Sequence, residues 1–192
     1  MRFGIQLPRD GPLAGPAAIE ATAQAAAELD YASVWSSSIE QLAVVAACTA
    51  DLPLALLIAG GSATGRIARE ARQRLGARLT MIGAPEADLA AARRMVEGSL
   101  FLSTGSAPPR SDLADGWAPQ VDRAATQVQW WIPRADQLLV LRVSGGISSA
   151  IDLRLLSATH TDQLVMSVPA AQHLDQQLAV FAATAEGIAA TG

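Results

Sequence analysis

Few side chains in this sequence can do chemistry, and their spacing narrows the choice further. Two histidines, His160 and His173, and one cysteine, Cys48, do not form a recognisable metal-ligand spacing, so no metal is expected. His160 is of the residue type that most often serves as a general acid or base, and it suits a helix terminus or the surface equally well. His173 stands just before the last helix, and Cys48 on a helix face reads as a small buried apolar residue. All 14 basic residues are arginine, which excludes a Schiff-base lysine, a P-loop lysine and covalent pyridoxal phosphate. The segment from Gly60 to Ile67 has P-loop glycine spacing, but Arg66 and Ile67 replace the lysine and the hydroxyl that such a loop needs. A nucleophile elbow around Ser62 fails because Thr64 occupies its second glycine position. No GxGxxG follows the first strand, so a dinucleotide site of that kind has no support.

Two loops fit an anion better. Ser103-Thr104-Gly105-Ser106 follows a short strand, and its small residues let backbone N–H groups and hydroxyls approach a phosphate. Gly145-Gly146 precedes Ser148, where a following helix offers free N–H groups and the positive end of its dipole. Each also reads as an ordinary serine-glycine turn. Trp130 and Trp131 could line a pocket or fill core.

The elements that must position these residues follow from periodicity. Strands are expected at Phe3–Leu7, Ala32–Trp35, Leu54–Ile58, Leu79–Ile82, Leu100–Leu102, Leu138–Val143 and Gln163–Val168. Helices are expected at Pro16–Leu29, Glu40–Ala50, a charged-faced stretch ending near Gly76, Pro85–Val96, around Val121–Trp131, Ser148–Ser157 and Leu174–Ala190. Ile19, Ala23, Ala26 and Leu29 share one face of the first helix, with Thr22 among them. Any of Ser36, Ser37 and Ser38 can cap the second. Near-strict alternation with unbroken apolar strands favours a parallel α/β fold, and the strand count favours a closed barrel with minimal loops.

The chain has 192 residues, 51% of them hydrophobic and 17% charged, with a net charge of −4. That suits one domain over residues 1–192 and argues against nucleic-acid binding, which needs a basic surface. A lone cysteine, no signal-peptide pattern and no apolar run of membrane-spanning length point to a cytoplasmic protein without a membrane segment.

Several stretches resemble the luciferase-like flavin- and F420-dependent oxidoreductases: MRFGIQLP, AIEATAQAAAELDYASVWSSS, RIAREARQRLGARLTMIG, SLFLSTGSAPPRSDLADGWAP with Ala114-Asp115-Gly116-Trp117, and TDQLVMSVP. The resemblance implies a compact (β/α)8 barrel of TIM type acting as a flavin-dependent oxidoreductase or monooxygenase. It implies FMN or coenzyme F420, with phosphate at Ser103, Thr104, Gly105 and Ser106 and the ring beside Gly60 and Gly61. It also implies a homodimer, or a heterodimer with a related barrel. Ser37 and Ser38 stand where that family commonly has an aspartate-histidine pair, leaving Ser37 only as a candidate hydrogen-bond donor. Only one helix fits between Ile82 and Leu100, where the family inserts its lid. The alternative is a non-catalytic barrel of the same kind, acting as an accessory subunit or a flavin- or ligand-binding protein.

Overall fold

The computed structural model of the chain describes residues 2–59, 61–84, 98–103, 139–144, 163–167 and 173–189. Seven strands run through them: β1 Arg2–Gln6, β2 Ser33–Ser36, β3 Leu54–Leu57, β4 Leu79–Ala84, β5 Gly98–Ser103, β6 Leu139–Ser144 and β7 Gln163–Ser167. Each pairs in parallel with the next, and β7 pairs with β1 from Gln163↔Arg2 to Ser167↔Gln6, which closes the ring. The expected parallel α/β barrel of TIM type is therefore the observed fold, with seven strands in the ring among the described residues. Outside the ring lie α1 Pro16–Glu28, α2 Ile39–Cys48, α3 Thr64–Leu75 and α4 Leu174–Ala189. The helices expected at Pro85–Val96, Val121–Trp131 and Ser148–Ser157 lie outside the described residues.

Local chemistry sets these boundaries. Pro16, which has no N–H to leave unpaired, opens α1. The helix stops where Asp30 takes a left-handed φ of 58° and the Tyr31 amide bonds back to the Ala26 carbonyl at 2.9 Å. Ser38 caps α2 by accepting the Gln41 amide at 3.3 Å. At the far end of α2, Arg78 donates to the carbonyls of Ala46, Thr49 and Leu52 and to the Thr49 hydroxyl at 2.5–2.8 Å, satisfying groups that the helix leaves over.

β3 shows why a continuous apolar strand was needed. Leu54, Leu56 and Ile58 pack outward against the helices, while Ala55 and Leu57 belong to the barrel interior. The outer layer joins Ile5, Val34, Leu54, Leu56 and Ile82 of the ring to Ile19, Ala23, Leu42, Val45, Ala68 and Leu75 of the helices. Each fully buried leucine or isoleucine there stabilises the fold by about 1.5–3 kcal/mol. Thr22 is buried in this layer with its apolar neighbours, as the helical pattern required.

Among the described residues the interior cluster holds Trp35, Ala55, Met81 and Val165. Leu54 pairs with Leu79 but Ala55 pairs with Met81, so Thr80 is an extra residue on β4. Without that bulge, strand alternation would turn Met81 outward with Leu79. Gly4 gives Trp35 room: a Cβ there would stand 3.1 Å from the indole Nε1 and 2.6 Å from both Ser33 Oγ and Gln163 Nε2. Those three side chains form a buried polar cluster, in which Ser33 Oγ accepts the Trp35 N–H at 2.8 Å and is bonded by the Gln163 amide, which reaches it from β7 over Gly4 of β1.

Candidate functional site at the C-terminal rim

All seven strands point the same way, so their C-terminal ends form one rim, the face at which barrels of this architecture carry their ligands. Four of them end in serine: Ser36, Ser103, Ser144 and Ser167. The register sets Ser144, Ser167 and Gln6 in one row across β6, β7 and β1. The row Ser103, Arg142, Val165 and Gly4 lies two residues below it along β6, β7 and β1. An arc of serine-bearing strand ends thus runs from β5 to β7, and Gln6 at the end of β1 continues it.

The other side of the rim is held by a side-chain network. Ser36 Oγ donates to Gln41 Oε1 at 2.5 Å and accepts the Ser38 amide at 3.0 Å. Gln41 Nε2 donates to the Pro8 carbonyl at 2.9 Å, tying the loop after β1 to the start of α2. Ser36 and Gln41 are both buried, so neither can exchange these partners for water. Beside them Ser38 Oγ and Arg74 both donate to the exposed Glu40 carboxylate, and the Arg74 bond is the main cause holding it below its ordinary pKa.

The residues singled out from sequence fall as follows. Gly61 lies in the loop after β3, is exposed, and has a φ of 141° that side-chain-bearing residues rarely adopt. Its carbonyl accepts the Thr64 amide at 3.1 Å and hydroxyl at 2.8 Å, which opens α3. Ser103 ends β5, on the rim arc. Ser37 is exposed immediately after β2. Gly60, Thr104, Gly105, Ser106, Ala114–Trp117, Trp130, Trp131, Gly145, Gly146, Ser148 and His160 lie outside the described residues. His173 is exposed in front of α4.

Cys48 sits at the opposite end of the barrel, half-buried, its Sγ donating to the Val45 carbonyl at 3.5 Å. Burial, then the Glu20 carboxylate, push its thiol pKa up. Burial likewise holds the Tyr31 hydroxyl well above its ordinary value. Both line a cleft of about 870 Å³ at the N-terminal ends of the strands, with Arg2, Glu28 and Asp51. The convergent strand ends of the rim are a better candidate than this cleft, because substrate loops of parallel barrels emerge there. Among the described residues no group of three or more His, Cys, Asp or Glu could hold a metal ion. No helix among them is long and apolar enough to cross a membrane.

Gln41, Ser33 and Gln163 were not singled out from sequence. Ser38-Ile39-Glu40-Gln41 does carry the Ser-x-x-Gln pattern of a helix start, a signal that would have marked Gln41. No local pattern marks Ser33 and Gln163, which meet only because closure of the ring sets β7 and β2 on either side of β1.

No family model matches the chain, and no curated protein matches it. Solved structures do. Phosphoribosyl anthranilate isomerase from Thermus thermophilus is similar at 15% identity with a TM-score of 0.56, covering 97% of this chain and 99% of its own. Monomers of the dimeric phosphoribosylanthranilate isomerase from Thermotoga maritima are similar at 11% identity with a TM-score of 0.56, covering 97% and 98%. N-acetylmannosamine-6-phosphate 2-epimerase from Clostridium perfringens is similar at 12% identity with a TM-score of 0.51, covering 93% and 90%. At these identities the likeness is one of fold.

These neighbours overturn the luciferase-like resemblance and the flavin-dependent oxidoreductase or monooxygenase expected from it. The accessory or flavin-binding alternative of that family falls with it. The physical reason is that the stretches carrying the resemblance are short strands, small-residue helices and glycine turns, which any parallel barrel needs. FMN or F420, with its ring beside Gly60 and Gly61, was implied by that resemblance alone.

Proposed function

We propose that the chain binds a phosphorylated small metabolite at the C-terminal rim, with the phosphate over the ends of β5, β6 and β7. The observation that carries this reading is the backbone register that brings Ser144 and Ser167 into one row, with Ser103 ending the neighbouring strand. Barrels of this architecture commonly hold phosphate at the loops after their last two strands, using backbone N–H groups and small side chains. Ser103-Thr104-Gly105-Ser106 and Gly145-Gly146 follow β5 and β6 in sequence and suit the same anion. The neighbours support the ligand class. One phosphoribosyl anthranilate isomerase structure is a complex with reduced 1-(o-carboxyphenylamino)-1-deoxyribulose 5-phosphate, and the epimerase is named for a 6-phosphate sugar.

Among the interior residues whose side chains are described, Gly4, Ser33, Trp35, Ala55, Leu57, Met81, Gln163 and Val165, there is no acid, base or thiol, so no proton-transfer role is assigned to them. We also read the chain as pairing with a second copy, as the Thermotoga maritima enzyme is named dimeric.

Calorimetric titration with ribose 5-phosphate and N-acetylmannosamine 6-phosphate, each beside its unphosphorylated sugar, tests the ligand class. Binding of a phosphorylated sugar but not its parent, lost in Ser144→Asp and Ser167→Asp, is the expected result. Equal binding of parent and phosphate, or no binding of any of the four, would refute it.

A further inference from the structure

α1, α2 and α3 lie side by side on the barrel, with α2 in the middle. Their exposed residues divide by charge. α1 has no basic residue and exposes Glu20 and Glu28, whereas α3 has four arginines against one glutamate; Arg66 is paired with the exposed Glu70 of the same helix at 3.7 Å, and Arg69 is exposed beside them. Beyond Glu40, which is tied to Arg74 within the chain, α2 has no charged residue, and its outer side is small and apolar, with Ala47 exposed and Val44 half-buried against the core. Glu20 is exposed on α1, and its carboxylate contributes to the raised Cys48 pKa.

We infer that this three-helix face is the interface of a two-fold homodimer, with the axis running along α2. The inference rests on the homodimer reading above and adds the surface and the orientation. The charges select the axis. A two-fold along α2 sets α1 of one protomer over α3 of its partner, acid on base, twice over. A two-fold across the helices would set α1 on α1 and α3 on α3, like charge on like. The shape agrees: two convex barrels touch first at the centre, where Val44 and Ala47 permit close approach, and long glutamate and arginine side chains span the wider gap at the flanks. Parallel helices keep their heights under this axis, so Glu20, one turn into α1, meets the level of Arg69, one turn into α3.

Sedimentation equilibrium of the full chain, of Glu20→Arg, of Arg69→Glu and of their equimolar mixture tests this. Both positions are exposed, and matched circular dichroism and thermal melts would confirm that the variants fold. Each variant alone should raise the dimer dissociation constant about tenfold or more, since like charges then meet at both flanks. In the mixture, opposite charges meet at both contacts, so heterodimers should form with the affinity of the unaltered chain. Raising salt from about 0.05 to about 0.5 M should weaken the unaltered dimer. A dimer indifferent to both variants would overturn this face and leave the homodimer reading standing. A monomer at all concentrations would overturn both.

Discussion

Replacing Gly4 by alanine tests the packing beneath the rim. The added methyl would stand 2.6 Å from Gln163 Nε2 and from Ser33 Oγ, and 3.1 Å from Trp35 Nε1. Contacts at 2.6 Å are not tolerated, so a neighbour must move. Trp35 is fully buried among Ala55, Met81 and Val165 and has nowhere to go, so Gln163 and Ser33 must rotate. Rotation separates them from each other and from the indole N–H, and their surroundings, 3% and 0% exposed, offer no water in exchange. An unsatisfied buried polar group costs about 1–3 kcal/mol, and the added volume a similar amount, so Gly4→Ala should destabilise by about 2–5 kcal/mol. Urea unfolding reads this as a lower midpoint at unchanged slope. In a Gln163→Ala background, which removes one of the colliding groups, the same substitution should cost clearly less. A loss below about 0.5 kcal/mol, or strict additivity of the two changes, would refute the cluster as described.

Other expectations follow from the rim and the opposite face. Gln41→Leu leaves the Ser36 hydroxyl proton without its acceptor and the Pro8 carbonyl without its side-chain donor and should lower stability by about 1–3 kcal/mol, read from the thermal midpoint, whereas Gln41→Glu, which keeps the acceptor for Ser36, should cost less. Arg78→Met should fray the end of α2, seen as faster amide exchange at Thr49 and Asp51 than at Leu42, because four of its hydrogen bonds to that turn are lost. Folding raises the Cys48 pKa, through burial first and Glu20 second. Its contribution to stability is therefore intact below the unfolded thiol pKa and is lost as pH rises through the folded one. Iodoacetamide should alkylate the folded chain more slowly than the urea-unfolded chain at mildly alkaline pH; equal rates would contradict that environment.

The seven strands were legible in the sequence because each is a short apolar run bounded by turn residues, and each was placed within two residues of its observed ends. The four described helices were legible because Ile19, Ala23 and Ala26, and their counterparts on the others, recur at helical spacing. The lumen was not. Ser33 and Gln163 lie 130 positions apart, and only ring closure brings them together. The bulge at Thr80, which decides that Met81 points inward, has no glycine or other local mark. The candidate site was half legible. The serine-glycine loops could be found as turns suited to an anion, but the row joining Ser144, Ser167 and Gln6 depends on the stagger between strands, which no single segment encodes. The resemblance misled for a related reason: parallel barrels share short segments whatever they bind.

The most direct test of the phosphate site is to follow backbone amide resonances by NMR while titrating ribose 5-phosphate or N-acetylmannosamine 6-phosphate. A ligand at the rim should shift the amides of Ser103, Ser144 and Ser167, which end β5, β6 and β7, and leave those of Ala32 and Asp51 at the opposite end unmoved. Shifts centred on Ala32 and Asp51, or none at the three serines with either phosphate, would contradict it.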